Sequence, residues 1–233
     1  MIHNFSFIPI IDLIAFLWMI VVWAGYTLVA DRLSWDKREV ARVMHNHRIQ
    51  WMLRMLDREI RMPDVGIVDA HIRSGTLFAS TSILIMAGIV AVLGNVDRLM
   101  TVIFELSFAS SMSRELLELK IFVLLGIFVY GFFKFAWCLR QFNYALILIG
   151  AAPSKGDCTD EIRADYSVRT ARVLTRASGT FNRGLRAYYF GLAALTWFIQ
   201  PWAFIVASVW VLLVLYRRDY LSKTLDALAP GDF

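Results

Sequence analysis

The stretch Glu115-LLELKIFVLLGIFVYGFFKFAWCLRQFNYALILIGAA-Pro153 decides how the chain folds. It contains no helix breaker before its end. At about 1.5 Å per residue it would extend well over 50 Å, against a bilayer hydrocarbon core of about 30 Å. A crossing that begins near Leu117 is spent near Arg140, so the helix continues to residue 151 on the far side of the membrane. The remainder, Tyr144 to Gly150, is too apolar to stand alone in water and needs a partner surface. Tyr130, Lys134, Trp137, Gln141, Tyr144 and Leu148 share one helical face, while Ile127, Val129, Phe132 and Leu139 lie elsewhere and are apolar. That asymmetry predicts an inward-facing polar and aromatic stripe.

Composition agrees with membrane residence. The chain of 233 residues is 58% hydrophobic and 18% charged, against about 25% charge in an average soluble domain. Its mean hydropathy is +0.58. No linker or internal repeat divides it, so the expectation is one integral membrane domain over residues 1–233. The net charge of +5 belongs to membrane topology rather than to nucleic acid once the basic residues are placed along the chain. Cys138 and Cys158 are isolated thiols and poor disulfide candidates.

The first apolar run, residues 10–30, lacks a basic approach and a small-residue cleavage pattern, and it reads as a retained span with Asp12 at its outer interface. Residues 31–73 carry nine Lys/Arg, including Lys37, Arg38, Arg42, Arg48, Arg54, Arg58 and Arg61. This segment is therefore cytoplasmic. Within it Val40, Met44, Trp51, Met52, Met55, Leu56 and Ile60 recur at helical spacing, predicting an amphipathic helix broken near Met62-Pro-Asp-Val-Gly66. Residues 74–94 form a second span whose Gly75/Ala79, Thr76/Ser80 and Ala87/Ala91 pairs suit close helix packing. A short apolar run, Leu99 to Phe108, follows on the outer interface. Ser113 is placed to cap the long helix, with Glu115 in its first turn and Glu118 and Lys120 at the outer boundary.

A second basic segment runs from Lys155 to Arg186, with an amphipathic helix over Asp165–Ala177, and the last apolar block spans residues 187–216. Gln200-Pro201 sits at its middle. A single crossing would export Arg217, Arg218 and Lys223, whereas a hairpin turning at Gln200-Pro201 keeps them inside. With the hairpin, 19 of the 24 Lys/Arg are cytoplasmic. The expected fold is thus an all-α multi-pass transmembrane bundle with amphipathic cytoplasmic helices and one long protruding helix. Its five spans are residues 10–30, 74–94, 117–140, 187–200 and 201–216, with the amino terminus outside and the carboxyl terminus in the cytoplasm. Four spans with a kinked final helix is the alternative.

No His-Glu-x-x-His motif, phosphate-binding glycine loop or Gly-x-Ser-x-Gly elbow occurs in the sequence. The pair His45 and His47 points to different helix faces and, even with His71, does not make a metal set. Neither a catalytic residue nor a cofactor is assigned. Two functions compete. One is an oligomeric channel or transporter with a cationic path past Lys134, Arg140, Gln141, Asn143 and Tyr144, selecting anions or binding an anionic group. The other is a non-catalytic scaffold or accessory subunit in which Arg183, Arg186, Arg217 and Arg218 hold anionic lipid headgroups. Expected partners are membrane lipids, further copies of the chain and other membrane proteins, in a bacterial inner membrane. Several separated blocks, Phe132-Phe-Lys-Phe135, Arg140-Gln-Phe-Asn-Tyr144, Ile149-Gly-Ala-Ala-Pro153, Phe181–Phe190 and Tyr216-Arg-Arg218, resemble a family of uncharacterised multi-pass integral membrane proteins that carries only a domain-of-unknown-function label. That resemblance implies membrane residence and no activity.

Overall fold

The computed structural model describes residues 9–32, 40–105, 112–154, 156, 158–221 and 227–228. Lys37, Arg38, Lys155 and Lys223 of the basic segments, and the end of the Leu99–Phe108 run, lie outside the described residues. Among the described residues the chain is entirely helical: α1 (Ile10–Arg32), α2 (Val40–Leu56), α3 (Met62–Leu93), α4 (Val96–Glu105), α5 (Arg114–Gly150), α6 (Asp160–Leu195), a 3₁₀ turn (Thr196–Phe198) and α7 (Pro201–Tyr220). Four of them, α1, α3, α5 and α7, are long and apolar enough to cross a membrane.

Helix boundaries follow local chemistry. Ser113 Oγ accepts the Leu116 N–H at 3.2 Å and so caps α5 as its sequence suggests. Thr159 does the same for α6 through the Ile162 N–H, with Asp160 and Glu161 in the first turn beside the positive helix end. Pro201 opens α7 at a position where its missing N–H has no helical partner to lose. Two expected boundaries are corrected. The break after α2 falls at residues 57–61, and Met62 and Pro63 begin α3, because proline is well tolerated in a first helical turn. The amphipathic stretch around Asp165–Ala177 is the early part of one continuous 36-residue helix, with no interruption before the apolar block.

The described residues group into two compact units, and α3, α5, α6 and α7 each contribute to both. The first contains α1, the later part of α3, α4, the first part of α5, the end of α6 and α7 up to Tyr216. Its inward positions on α1, Asp12, Ala15, Met19, Val22 and Tyr26, repeat at three- and four-residue intervals. Ala15, Met19, Leu124, Phe128, Ala194, Trp197 and Phe204 form its central cluster. The end of α6 and α7 run antiparallel: Trp197 stacks on Phe204 at 5.2 Å, and Phe190 meets Leu215 further from the turn. α5 runs parallel to α1, since Trp23 packs edge-on against Tyr130 at one end and Asp12 pairs with Lys120 at the other. Outward positions are also apolar: Leu84 is 72% exposed and Val206 and Trp210 are each 68% exposed. Lipid solvates such faces without the cost of about 25 cal/mol per Å² that water would impose.

The second unit packs α2 against the start of α3, the end of α5 and the first part of α6 around Met52, Met55, Val68, Cys138, Phe142, Ala145, Ile149 and Leu174. Gly75 of α3 faces Leu139 and Gly184 of α6 faces Phe135. A Cβ on Gly184 would lie 2.6 Å from the Phe135 ring, so only glycine permits that helix approach. Of the small-residue pairs on α3, Gly75 and Ala79 are buried as expected, whereas Thr76, Ser80, Ala87 and Ala91 face outward.

Candidate functional site

The first unit contains a buried ion pair. Lys120 Nζ lies 2.7 Å from Asp12 Oδ1, with the two side chains 0% and 5% exposed. Trp197 Nε1 donates to the same carboxylate oxygen at 2.7 Å, and Lys120 Nζ also donates to the Trp197 carbonyl at 3.0 Å. The ammonium sits 5.1 Å from the Trp197 ring centroid, and that ring is stacked between Phe16 and Phe204. Asp12 and Lys120 therefore face the protein interior, because each turns inward to neutralise the other. A charge in a low-dielectric interior is tolerable only when paired and hydrogen-bonded. The arrangement ties α1, α5 and the α6–α7 turn together. Sequence spacing gave no sign of it, since the partners stand far apart in the chain. The available signal was an acid near the start of α1 and a base near the start of α5, each leading into a long apolar run.

The expected inward stripe on α5 does not form the buried face: of its residues, Tyr130, Lys134, Gln141 and Leu148 are half-buried and Trp137 and Tyr144 are exposed. The buried face is Phe135, Cys138, Phe142, Ala145 and Ile149, while Trp137, Arg140, Asn143 and Tyr144 are exposed. Lys134 is half-buried and makes its own contact. Gln141 is half-buried, and its Oε1 is buried with no hydrogen-bond partner among the described residues. The chain buries its apolar face because that burial is shared among four helices. The polar side is left for another surface. Of the residues expected at headgroups, Arg217 is exposed, Arg218 bonds Asp219 at 2.9 Å and Arg183 is half-buried with a contact. Arg186 departs from that expectation: it is buried, with its guanidinium 5.2 Å from the Tyr26 ring centroid.

The second unit holds a pocket of about 240 Å³ between α2, α3, α5 and α6, with Arg48, His47 and His71 on its polar side. Arg48 reaches it from α2 and donates to Ser178 Oγ at 3.0 Å and to Thr175 Oγ1 at 3.4 Å. His45 shares a 2.9 Å hydrogen bond with the same threonine hydroxyl. Burial, then the nearby Arg48 and Arg172, hold the His45 imidazole below its ordinary pKa, and burial likewise lowers that of Arg48. The three histidines do not converge. His47 Nε2 donates to the Leu228 carbonyl at 3.1 Å, and His71 Nδ1 to the Ile67 carbonyl of its own helix at 2.9 Å.

Two further polar clusters brace this unit. Asp64, fully buried at the start of α3, accepts from Trp51 Nε1 at 2.7 Å and pairs with Arg58. Arg61 donates to the Ala152 and Pro153 carbonyls at 2.6 and 2.7 Å, closing the carboxyl end of α5, where unpaired carbonyls favour a cation.

An all-helical architecture with outward apolar faces and four helices of crossing length defines an integral membrane protein. The chain belongs to the DUF599 family, described as proteins of unknown function, whose model matches residues 14–224. No curated protein and no solved structure matches it.

Proposed function

We propose that this chain is a non-catalytic scaffold or accessory subunit of the bacterial inner membrane, and that its copies associate along the outward face of α5. The observation that carries this reading is the spacing of that face. Phe133, Trp137, Arg140, Tyr144 and Ile147 are all exposed and recur at intervals of four, three, four and three residues. Alternation of that kind makes the seam of helix pairs that pack knobs into holes. Large aromatic and aliphatic side chains on such a seam are well covered by a second copy of the same helix, related by a twofold or higher axis along the membrane normal.

The topology that goes with it is five-pass, with the amino terminus outside and the carboxyl terminus in the cytoplasm. Its support is the antiparallel pairing of the α6 end with α7, which makes the apolar end of α6 accompany α7 through the same depth. α1, α5 and α7 then all run outward to inward, and the basic segments fall on the cytoplasmic side.

A second reading, an anion channel or transporter, draws on Arg140 within the same seam and Asn143 beside it. A ring of copies would gather Lys134, Arg140, Gln141, Asn143 and Tyr144 around a shared axis. Mass measurement in lipid nanodiscs, paired with ion flux in liposomes, separates the readings. A stable oligomer without flux supports the scaffold, and an oligomer with flux lost in Lys134→Met/Arg140→Gln supports the path. A strictly monomeric particle at all concentrations removes both oligomeric readings.

A further inference from the structure

The pocket on α2 has features that the scaffold reading does not use. Its walls are Trp51, Ile67, Val68, Phe142 and Leu174, an apolar and partly aromatic lining, and none of the residues around it carries a carboxylate. Arg48 enters from one side. Its hydrogen bonds go to two neutral hydroxyls, and no acid neutralises it among the described residues. Asp64, which accepts from the wall residue Trp51, is already paired with Arg58. Arg172, close enough to act on His45, adds to the local positive potential. A guanidinium offers five donors in a planar fork, so Arg48 keeps donors available for a planar or tetrahedral anion. The Ser178 hydroxyl lies within the same lining, where it accepts from Arg48 and donates to the Leu174 carbonyl at 3.0 Å, so it orients the guanidinium. At about 240 Å³ the space is somewhat below that usual for drug-sized ligands, about 300–1,000 Å³.

We propose that this pocket binds a small organic anion, a phosphate or carboxylate on a compact apolar body, with the anion at Arg48 and the body against Ile67, Val68 and Phe142. The same chemistry is presented by a free metabolite and by the head of an anionic lipid.

Calorimetry on the whole protein in phosphatidylcholine nanodiscs, with phenyl phosphate as probe, tests the site. Saturable binding is expected. Arg48→Gln should weaken it about tenfold or more, the ordinary loss for a charge-assisted hydrogen bond. Arg42→Gln, which makes the same charge change at an exposed position outside the pocket, should leave it unchanged. Ile67→Trp fills the pocket from a half-exposed position while retaining every charge, and it should abolish binding even if Arg48→Gln fails to fold. Inorganic phosphate, lacking the body, should bind at least about tenfold more weakly, because burial of a few methylene-sized groups contributes that much. Phosphatidic acid added to the discs decides the source: competition with phenyl phosphate assigns the site to lipid, and its absence assigns it to a soluble anion. No saturable binding, equal losses in Arg42→Gln and Arg48→Gln, or full binding in Ile67→Trp would each overturn the proposal.

Discussion

At the scale of single residues, Lys120 and Asp12 constrain the first unit through a buried charge pair. Removing one partner leaves the other charged, buried and without compensation, a loss of about 3–5 kcal/mol in comparable interiors. Lys120→Met should therefore lower thermal stability in mild detergent sharply. The double variant Lys120→Met/Asp12→Asn should recover much of it, because Trp197 Nε1 still finds an acceptor and no lone charge is left. A double variant as unstable as the single one would mean that packing around Trp197, and not charge balance, dominates. His45 supplies a pH effect in the other unit. Above its unfolded pKa of 6.5 the group is neutral in both states and contributes no slope. As pH falls below 6.5 the unfolded chain takes up the proton before the folded one, whose pKa is lowered, so stability declines with falling pH. His45→Gln should flatten that decline between pH 6.5 and 5, measured by thermal unfolding; an unchanged slope would move its origin elsewhere.

At the scale of elements, α5 shows why a helix can be found in sequence and its orientation missed. Its length, its cap and its continuation past Arg140 are all visible in Glu115–Pro153. Its rotation is not. In a membrane helix the core face and the lipid face are both apolar, so hydrophobic periodicity carries little information about direction. The polar stripe is expected inward as for a pore, but four-helix packing buries Phe135, Cys138 and Phe142 instead and leaves the stripe half-buried at Lys134 and Gln141 and exposed at Trp137 and Tyr144. If the outward seam holds copies together, Trp137→Glu or Ile147→Glu should shift the mass in nanodiscs to the monomer while circular dichroism stays helical. The α5–α6 contact offers a separate test. Gly184→Ala puts a methyl group into the Phe135 ring, and overpacking of this kind costs about 1–3 kcal/mol. Destabilisation should be relieved by the compensating Phe135→Leu; if Gly184→Ala alone is neutral, the two helices are not held at that distance.

For the whole molecule, topology is the property most open to direct measurement. With Cys138 and Cys158 replaced by alanine, a single cysteine placed after Asp219 should react with a membrane-impermeant maleimide only in permeabilised cells. Labelling from outside intact cells would put the carboxyl terminus on the other face and restore the four-span alternative. The sequence by itself determined the solvent of this protein, its helical class, the break at Gln200-Pro201 and the separation of basic from apolar segments, because each of these depends on composition and spacing along a few turns. Tertiary structure decided which faces meet. The Asp12–Lys120–Trp197 contact, the packing of the Cys138 and Phe142 face of α5 against α2, α3 and α6, and the gathering of Arg48 with Thr175, Ser178 and an apolar pocket all join residues distant in the chain. Such pairings follow from the packing of several helices against one another, and no local periodicity encodes them.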